Sequence, residues 1–241
     1  MVTSRRALVT GASRGLGATI ARFLAGEGYE ILITARGEAE LTAAADALRR
    51  LDARVVALAG DVTDPAHRDR LSRAVAGWGG LDLLVNNASE LGPSPLPALA
   101  DYPLAELRRV LETNVVAPLA LVQALRGALA RARGWVVNVS SDAARGGYPG
   151  WGGYGASKAA LDLVSLTLAN ELADEGICVV SVDPGDLRTA MHQAAFPGED
   201  ISDRPLPEVT VPFWAWLFHQ EPTAVRGQRL QAQAELWGVR G

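Results

Sequence analysis

The sequence predicts an α/β fold built on a doubly wound parallel sheet of about seven strands, with helices on both faces. Short apolar runs alternate regularly with longer helical patterns along the 241 residues. The runs are almost continuously apolar, which is typical of strands buried on both faces. No repeat or interdomain linker interrupts the pattern, and this length suits one α/β domain. We therefore expect a single domain over residues 1–241.

Six apolar runs are predicted as strands, at residues 7–9, 30–34, 55–58, 81–85, 135–139 and 178–182. A weaker seventh strand at 228–232 alternates apolar with polar residues, as an edge strand does. Alanine- and leucine-rich helices are predicted between the strands, notably over 104–131 and 154–174. The aromatic segment 213–218 is interpreted as a helix that faces the core.

Composition and charge narrow the class of protein. Hydrophobic residues make up 49% of the chain and charged residues 21%, which is ordinary for a globular protein. The formal net charge of −4 provides no basic field for nucleic acid. The sequence contains no apolar run of 18 or more residues, so no membrane span is expected. The N-terminal stretch lacks the apolar segment of a signal peptide, so a cytoplasmic protein is expected.

Cysteine and histidine usage bears on redox and metal chemistry. The single cysteine, Cys178, excludes an intrachain disulfide and fits a reducing compartment. His67, His192 and His219 lack the spacing of metal ligands, so no metal site is predicted.

A glycine-rich loop follows the first predicted strand and opens the first helix. Its spacing is Gly-x-x-x-Gly-x-Gly rather than the more usual Gly-x-Gly-x-x-Gly. Glycines there permit a tight turn and let the backbone approach a pyrophosphate at the positive helix N-terminus. The loop residues assigned to a dinucleotide are Gly11, Ser13, Arg14, Gly15, Leu16 and Gly17.

The end of the second strand indicates which dinucleotide is bound. Sites for NAD usually place a carboxylate there for the ribose 2′-hydroxyl, whereas this chain has Ala35 followed by Arg36. A guanidinium matches the oxygens of a 2′-phosphate, and Arg14 would add a second positive charge. We therefore predict NADP(H), with two ordinary solvent-facing arginines as the alternative.

Tyr154 and Lys158 are the most informative pair in the chain. Residues four apart on a helix share one face, with Cβ atoms roughly 5 to 6 Å apart. An ammonium there stabilises a phenolate and tunes the phenol as proton donor and acceptor. Ser141 precedes Tyr154 by thirteen residues. The alternative for the pair is an exposed helix start with ordinary surface side chains.

The motifs occur in one order: Thr10-Gly-x-x-x-Gly-x-Gly, Asn86-Asn87-Ala88, Asn114, Ser141 and Tyr154-x-x-x-Lys158. In this order the chain resembles the compact single-domain branch of the short-chain dehydrogenase/reductase family, from about residue 5 to 233. The resemblance implies a Rossmann-type sheet and hydride transfer with a nicotinamide cofactor. Ser89 departs from the pattern, because the family more often has glycine there.

The resemblance also implies roles for individual residues. Asn114, Ser141, Tyr154 and Lys158 match the catalytic set, in which the asparagine positions a water that links the lysine to solvent. The thirteen-residue spacing to Tyr154 favours Ser141 over its neighbour Ser140. The residues implied to contact the cofactor, besides the tyrosine and lysine, are Asp61 and Val62 at the adenine, Asn87 and Ala88 in the cleft, and Pro184, Gly185, Leu187 and Thr189 at the nicotinamide.

The segment 186–212 loses periodicity and collects four prolines, which predicts a substrate lid, with a disordered surface loop as the alternative. Trp151, Met191 and His192 are predicted to contact a small, partly apolar carbonyl or alcohol substrate. Asp142 and Asp186 flank the expected reaction site, where either could select a cationic or hydroxylated substrate or simply cap a turn.

Three classes of function remain in view. The leading hypothesis is an NADPH-dependent oxidoreductase in which Tyr154 is the general acid and base. Epimerisation or another cofactor-assisted reaction on the same scaffold is a second enzymatic possibility. A non-catalytic NADP(H)-binding sensor would need only the cofactor end, and a purely structural protein would not need the glycine loop. Apolar surface on the helix at 104–131 predicts a homo-oligomer, and the resemblance implies a dimer or a tetramer.

Overall fold

Seven parallel strands form one sheet in the computed structural model, which describes residues 4–234 and Trp237. The strands are β1 (Arg6–Thr10), β2 (Glu30–Ala35), β3 (Val55–Ala59), β4 (Leu83–Asn86), β5 (Trp135–Val139), β6 (Cys178–Asp183) and β7 (Arg229–Gln231). Their order across the sheet is β3-β2-β1-β4-β5-β6-β7, and neighbours pair in parallel throughout. The doubly wound fold predicted from the apolar runs is confirmed. Residues 1–3, 235, 236 and 238–241 of the predicted domain lie outside the described part.

Helices cover both faces of the sheet. They are α1 (Gly15–Gly26), α2 (Glu38–Arg49), α3 (Pro65–Ala76), α4 (Leu104–Leu111), α5 (Ala117–Ala132), α6 (Ala143–Gly146), α7 (Gly152–Glu171), α8 (Ala190–Ala195), α9 (Val211–Leu217) and α10 (Pro222–Val225). Start signals in the sequence explain some boundaries. The Asp64 carboxylate accepts a hydrogen bond from the Ala66 N–H at 2.9 Å, and Pro65 occupies the first position of α3.

Successive side chains along each strand point to opposite faces of the sheet, so each strand contributes to two separate apolar cores. In β1, Ala7 and Val9 pack in one apolar cluster with α1, α2 and α9, whereas Leu8 packs in the other with α3, α5 and α7. Phe213 and Trp214 of α9 are fully buried in the first cluster. Leu217 is also fully buried there, and Trp216 and Phe218 pack against the cluster, so the interpretation of 213–218 as a core-facing helix is confirmed.

The structure differs from the prediction at the start of β4 and within the long helix. β4 begins at Leu83 rather than at residue 81, because the Leu81 N–H is donated to the Ala128 carbonyl of α5. The helix predicted over 104–131 contains a π-helical turn, Glu112–Val116, between α4 and α5. Such turns widen the helix locally and occur often at functional sites.

The segment 186–212 is more regular than predicted. It contains α8, a 3-10 turn at Pro207–Thr210 and the start of α9. Six residues are too few for α8 to show a helical period, but the Thr189 hydroxyl caps it by accepting the His192 N–H at 3.2 Å. The Arg188 N–H is also donated to the Pro205 carbonyl at 2.8 Å, which ties the segment's two ends together.

The helical stretch Leu104–Ala132 is long and apolar enough to cross a membrane by length and composition alone. Core helices of globular proteins meet the same criterion. Leu121, Leu125 and Leu129 of this stretch pack in the core under the sheet, which accounts for much of its apolar character.

The strand order places the site. Because the chain reverses direction across the sheet between β1 and β4, the connections after these two strands diverge and leave a crevice at their carboxyl ends. β5 and β6 end at the same edge, where the segments after Val139 and Asp183 border the crevice.

Candidate active site

A cleft of about 1530 Å³ lies at the carboxyl edge of the sheet. Of the residues assigned to the site from the sequence, Gly17 and Asn114 lie behind its wall and the others line it. The lining residues are Gly11, Ser13, Arg14, Gly15, Leu16, Arg36, Asp61, Val62, Asn87, Ala88, Ser141, Trp151, Tyr154, Lys158, Pro184, Gly185, Leu187, Thr189, Met191 and His192. The fold thus brings separate motifs into one cavity.

The glycine loop is fixed against the end of β4. The Asn87 side-chain amide donates to the carbonyls of Thr10 and Gly11 at 3.0 and 3.1 Å. The Thr10 hydroxyl accepts the N–H groups of Asn87 and Ala88, each at 3.0 Å. Gly11 has a φ of +64°, and a Cβ atom there would lie 2.9 Å from the Ala88 Cα. Only glycine fits both the conformation and the space.

The N-terminus of α1 faces the cleft, which Arg14, Gly15 and Leu16 line. Arg14 occupies the capping position, and its side chain makes no capping hydrogen bond. Unpaired N–H groups and the helix dipole at such an end favour an anion such as a pyrophosphate.

Arg36 lies at the other end of the cleft, where the sequence places an adenosine. Its side chain is 68% exposed, and one guanidinium nitrogen is 3.5 Å from the Glu90 carboxylate, which also approaches Arg109 at 3.7 Å. Burial disfavours the charged form of Asp61, but hydrogen bonds from Thr63 and the charge of Arg36 outweigh it and lower the pKa of that carboxyl. The exposed guanidinium remains accessible to a phosphate.

Tyr154 and Lys158 are buried together in the first turns of α7. The Lys158 ammonium lies 5.5 Å from the centre of the Tyr154 ring and donates to the Val139 carbonyl at 2.7 Å. The alternative of an exposed helix start is therefore wrong, since Lys158 is only 2% exposed.

Glycines explain why α7 starts two residues before the predicted position. A Cβ atom at Gly152 would lie 2.9 Å from the Leu99 side chain, and one at Gly155 would lie 2.5 Å from the Ala143 carbonyl oxygen. The missing side chains let this helix approach its neighbours closely, which places Tyr154 against the end of β5.

Burial dominates the electrostatics of the pair. Burial raises the pKa of Tyr154 to about 12, and the charges of Asp183 and Asp142 act in the same direction, whereas the nearby hydroxyls of Ser89 and Ser141 act to lower it. Burial also lowers the pKa of Lys158 to about 8, partly offset by the Asp162 carboxylate. The phenol therefore holds its proton at neutral pH, contrary to the lowering expected from the lysine alone.

Ser141 and Ser140 have different surroundings. The Ser141 hydroxyl donates to the Asp142 carboxylate at 3.1 Å and accepts the Ala143 N–H at 3.2 Å. The Ser141 hydroxyl also lies near the Tyr154 hydroxyl and acts to lower the pKa of that phenol. The Ser140 hydroxyl is buried without a partner among the described residues. This geometry agrees with the choice of Ser141 as the group beside the phenol.

Asn114 lies within the π-helical turn and behind the cleft. Its carbonyl oxygen accepts the Glu90 N–H at 2.7 Å and the Ser89 hydroxyl at 3.1 Å. Its amide donates to the Glu90 carbonyl at 2.8 Å and to the Ser157 hydroxyl at 2.9 Å. Asn114 thereby connects the segment after β4 to α7, and the water relay implied by the resemblance stays a prediction.

Ser89 is a site residue whose function was not predicted. Its hydroxyl donates to the Asn114 carbonyl oxygen at 3.1 Å and also acts to lower the pKa of Tyr154. The substitution of serine at a position where the family more often has glycine was the available signal, but the sequence indicated only a small side chain near a ribose. The structure places the Ser89 hydroxyl near two members of the predicted catalytic set, Asn114 and Tyr154.

An aromatic wall extends outward from Tyr154. The Trp151 ring packs edge-on against Tyr154 with centroids 5.8 Å apart, and Phe196 follows at 6.1 Å from Trp151. His192 lies 5.1 Å from Phe196, and its Nε2 atom is buried without a hydrogen-bond partner in the described part of the chain. A buried, unpaired ring nitrogen in an apolar wall is suited to bind a polar group of a ligand.

The two flanking carboxylates differ in their contacts. Asp142 caps α6 by accepting the Ala143 N–H at 2.8 Å, and its nearby carboxylate raises the pKa of the Tyr148 phenol. Asp186 is exposed and lines the cleft. Within residues 4–234 and Trp237, no group of three or more histidine, cysteine, aspartate or glutamate side chains is placed to hold a metal ion.

Known proteins share both the sequence and the architecture. The profile of the short chain dehydrogenase family matches residues 5–200. The 3-oxoacyl-acyl-carrier-protein reductase FabG of Escherichia coli is 37% identical over 190 residues, which cover 78% of this chain and 75% of the relative. Serine 3-dehydrogenase of Agrobacterium fabrum is 35% identical over 184 residues, covering 76% of this chain and 72% of the relative.

A solved structure from Shigella flexneri, of a protein assigned to the short-chain dehydrogenases and complexed with NADP, has a TM-score of 0.88 to this chain. It is 30% identical and covers 95% of this chain and 97% of its own. The family profile spans most of the chain, and the similarity extends over the glycine loop, the Ser141 segment and the tyrosine–lysine pair. The chain belongs to the short-chain dehydrogenase/reductase family of oxidoreductases.

Proposed function

We propose that this protein is an NADPH-dependent oxidoreductase that transfers hydride between the nicotinamide and a small, partly apolar carbonyl or alcohol substrate. The observation that supports this most is the convergence of Ser141, Tyr154 and Lys158 in the cleft that the glycine loop borders. A non-catalytic sensor would not need these three side chains to converge, because binding of the cofactor alone uses only the cofactor end of the cleft.

The side chains divide the chemistry of carbonyl reduction. Reduced nicotinamide supplies the hydride when it is bound, so negative charge develops on the carbonyl oxygen. Ser141 and Tyr154 donate hydrogen bonds to that oxygen, which stabilises the transition state more than the ground state. Tyr154 then delivers its proton, and the Lys158 ammonium stabilises the phenolate that remains. The neutral phenol found at Tyr154 suits this direction, whereas alcohol oxidation requires its deprotonation and is favoured by rising pH.

The preference for NADP(H) follows from the positive charge of Arg36 at the adenosine end of the cleft. Arg36 directly follows β2, at a position where a carboxylate would repel a 2′-phosphate, and its guanidinium is mostly exposed. Relatives of known structure include one complexed with NADP. Both observations support NADP(H) as the cofactor of this chain.

Arg36→Asp is expected to lower the ratio of kcat/KM for NADPH over NADH about tenfold or more. Hydrogen bonds to charged groups contribute about 1.5–3 kcal/mol, and reversal of the charge adds repulsion. Steady-state kinetics with both cofactors measure the ratio. Arg49→Asp, a change on the exposed face of α2 outside the cleft, serves as the control for added negative charge. An unchanged ratio in Arg36→Asp would contradict the assignment.

Substrate character follows from the aromatic wall. Trp151, Phe196 and Met191 provide apolar contact next to the phenol, and the unpaired His192 nitrogen provides one polar contact. We propose that residues 186–212 act as a lid, because α8 carries Met191 and His192 into the cleft. Limited proteolysis tests this: NADPH together with a substrate analogue should protect the segment, and equal cleavage with and without them would contradict it.

Oxidation of NADPH in the presence of a panel of ketones and aldehydes tests the proposed function. Consumption that depends on the carbonyl compound, with formation of the alcohol, is the expected result. Tight NADPH binding without consumption would support the sensor instead. Inversion of a substrate centre without net consumption of cofactor would support the epimerase.

We further propose a homo-oligomer, a dimer or a tetramer, that acts in the cytoplasm. Leu104 on α4 and Leu163 on α7 are 63% and 67% exposed, and these two helices are neighbours, so their apolar faces adjoin. Sedimentation velocity should give a multiple of the 25.4 kDa chain mass, and a monomer at all concentrations would exclude this proposal. The free, buried Cys178 suits a reducing compartment, and cell fractionation tests the location.

A further inference from the structure

We infer that Arg229 is a positioning residue. It holds three parts of the site in their relative positions: the segment at Ser141, the segment 184–189 that is predicted to contact the nicotinamide (the nicotinamide segment), and helix α7 with Tyr154 and Lys158. This inference rests on the proposed function, because it concerns the geometry of that site. Arg229 lies on the edge strand β7, outside the cleft lining, and none of the sequence motifs includes it.

Three segments meet at its guanidinium. Nε donates to the Asp162 carboxylate at 2.9 Å, and Nη2 donates to the Ser141 carbonyl at 2.8 Å and to the Asp183 carboxylate at 3.0 Å. The Arg229 side chain is only 10% exposed. A planar guanidinium with several fixed donors is the side chain best suited to bind partners in different directions at once.

Each partner lies next to a functional group. Asp162 follows Lys158 by four residues on α7, so the two share a helix face. Asp183 ends β6 directly before the nicotinamide segment, and its other carboxylate oxygen accepts the Gly185 N–H at 3.0 Å. At Ser141, the bond to the backbone carbonyl fixes the residue whose hydroxyl lies near Tyr154 and acts on the pKa of that phenol.

Arg229 also balances the charge around the reacting groups. The charged groups that act on Tyr154 and Lys158 are Asp142 at the start of α6, Asp183 at the end of β6 and Asp162 on α7. Arg229 pairs with the last two. Without its charge, both carboxylates would raise the pKa values of the phenol and the ammonium further. Deprotonation of the phenol during alcohol oxidation would then require a higher pH.

Arg229→Gln is expected to lower kcat about tenfold or more, because small displacements of reacting groups are costly. The Kd for NADPH should change much less than kcat. The midpoint of the pH–rate profile for alcohol oxidation should rise by about half a unit to one unit. Arg229→Lys keeps the positive charge but lacks the planar set of N–H donors of a guanidinium. It should therefore restore the midpoint of the pH–rate profile while recovering only part of kcat. Arg126→Gln removes an exposed arginine–glutamate pair with Glu175 and is the control for loss of an ion pair.

Loss of an arginine can also unfold the protein, since two carboxylates would be left buried. The variant Arg229→Gln/Asp162→Asn/Asp183→Asn removes those charges as well and should fold, yet keep the low kcat because the Ser141 carbonyl still lacks its donor. A kcat and a pH profile equal to those of the wild type, in folded Arg229→Gln or in the triple variant, would overturn the inference. A wild type inactive against every carbonyl compound would instead refute the proposed function.

Discussion

Replacement of Tyr154 by phenylalanine is expected to reduce carbonyl turnover about a thousandfold or more, while NADPH binding is kept. General acid catalysis by a positioned side chain typically contributes about 10²–10⁴-fold. Phenylalanine fills nearly the same volume, so the packing with Trp151 and the position of Lys158 should change little. The variant therefore removes the proton donor and leaves the cleft in place.

Single-turnover and steady-state rates of NADPH oxidation measure this loss, and NADPH fluorescence titration measures binding. Tyr102→Phe is the matched control, because Tyr102 is also buried and its hydroxyl has no hydrogen-bond partner among the described residues. Tyr102 lies outside the cleft lining, so its variant should keep wild-type kinetics. More than a tenth of wild-type activity in Tyr154→Phe would falsify the assignment of Tyr154 as the acid.

The direction of the reaction adds a pH signature. Because burial raises the pKa of Tyr154 to about 12, the phenol should stay protonated through the neutral range. Carbonyl reduction should then be nearly independent of pH near neutrality, whereas alcohol oxidation should accelerate as the pH rises. Lys158, with its pKa lowered to about 8, is mostly an ammonium at neutral pH and can assist the phenolate there.

The sheet was predictable because its strands carry a strong local signal. A strand buried on both faces, such as β6, must be apolar at nearly every position, and the sequence shows this directly. The glycine loop and the tyrosine–lysine pair were predictable for a related reason. Their chemistry depends on spacings within one loop or one helix, and such spacings survive in the linear sequence.

Contacts between distant segments left no comparable signal. Arg229 reaches the Ser141 carbonyl across 88 residues, and Ser89 reaches Asn114 across 25. Neither contact creates a periodic pattern. The start of α7 was missed because Gly152 and Gly153 have low helix propensity, and only packing against Leu99 and Tyr102 makes glycine the fitting choice there. Tertiary contacts, and not local helix propensity, thus determine these features of the structure.

Gly17→Ala is expected to weaken NADPH binding about a hundredfold and to lower the Tm by several degrees. A Cβ atom at Gly17 would lie 2.5 Å from the Asn87 side-chain nitrogen and nearer still to the Gly11 carbonyl oxygen. The Asn87 amide donates to that carbonyl, so the added methyl must displace the loop from β4. Overpacking of this kind costs about 1–3 kcal/mol, and displacement of a binding loop by about 1 Å costs about 10² in function.

Gly26→Ala, at the other end of α1, is the matched control for this change. Among the described residues, no atom beyond the glycine's own chain neighbours and helix backbone lies within 4 Å of a Cβ built at Gly26, so the substitution adds a methyl to open space. Alanine is favoured over glycine within a helix by about 0.5–1 kcal/mol, so the Tm of this variant should stay the same or rise slightly. Differential scanning fluorimetry and NADPH titration compare the two variants. Equal NADPH affinity in both variants would show that the loop tolerates a side chain at Gly17. The dinucleotide site would then not depend on the tight packing of the loop against Asn87.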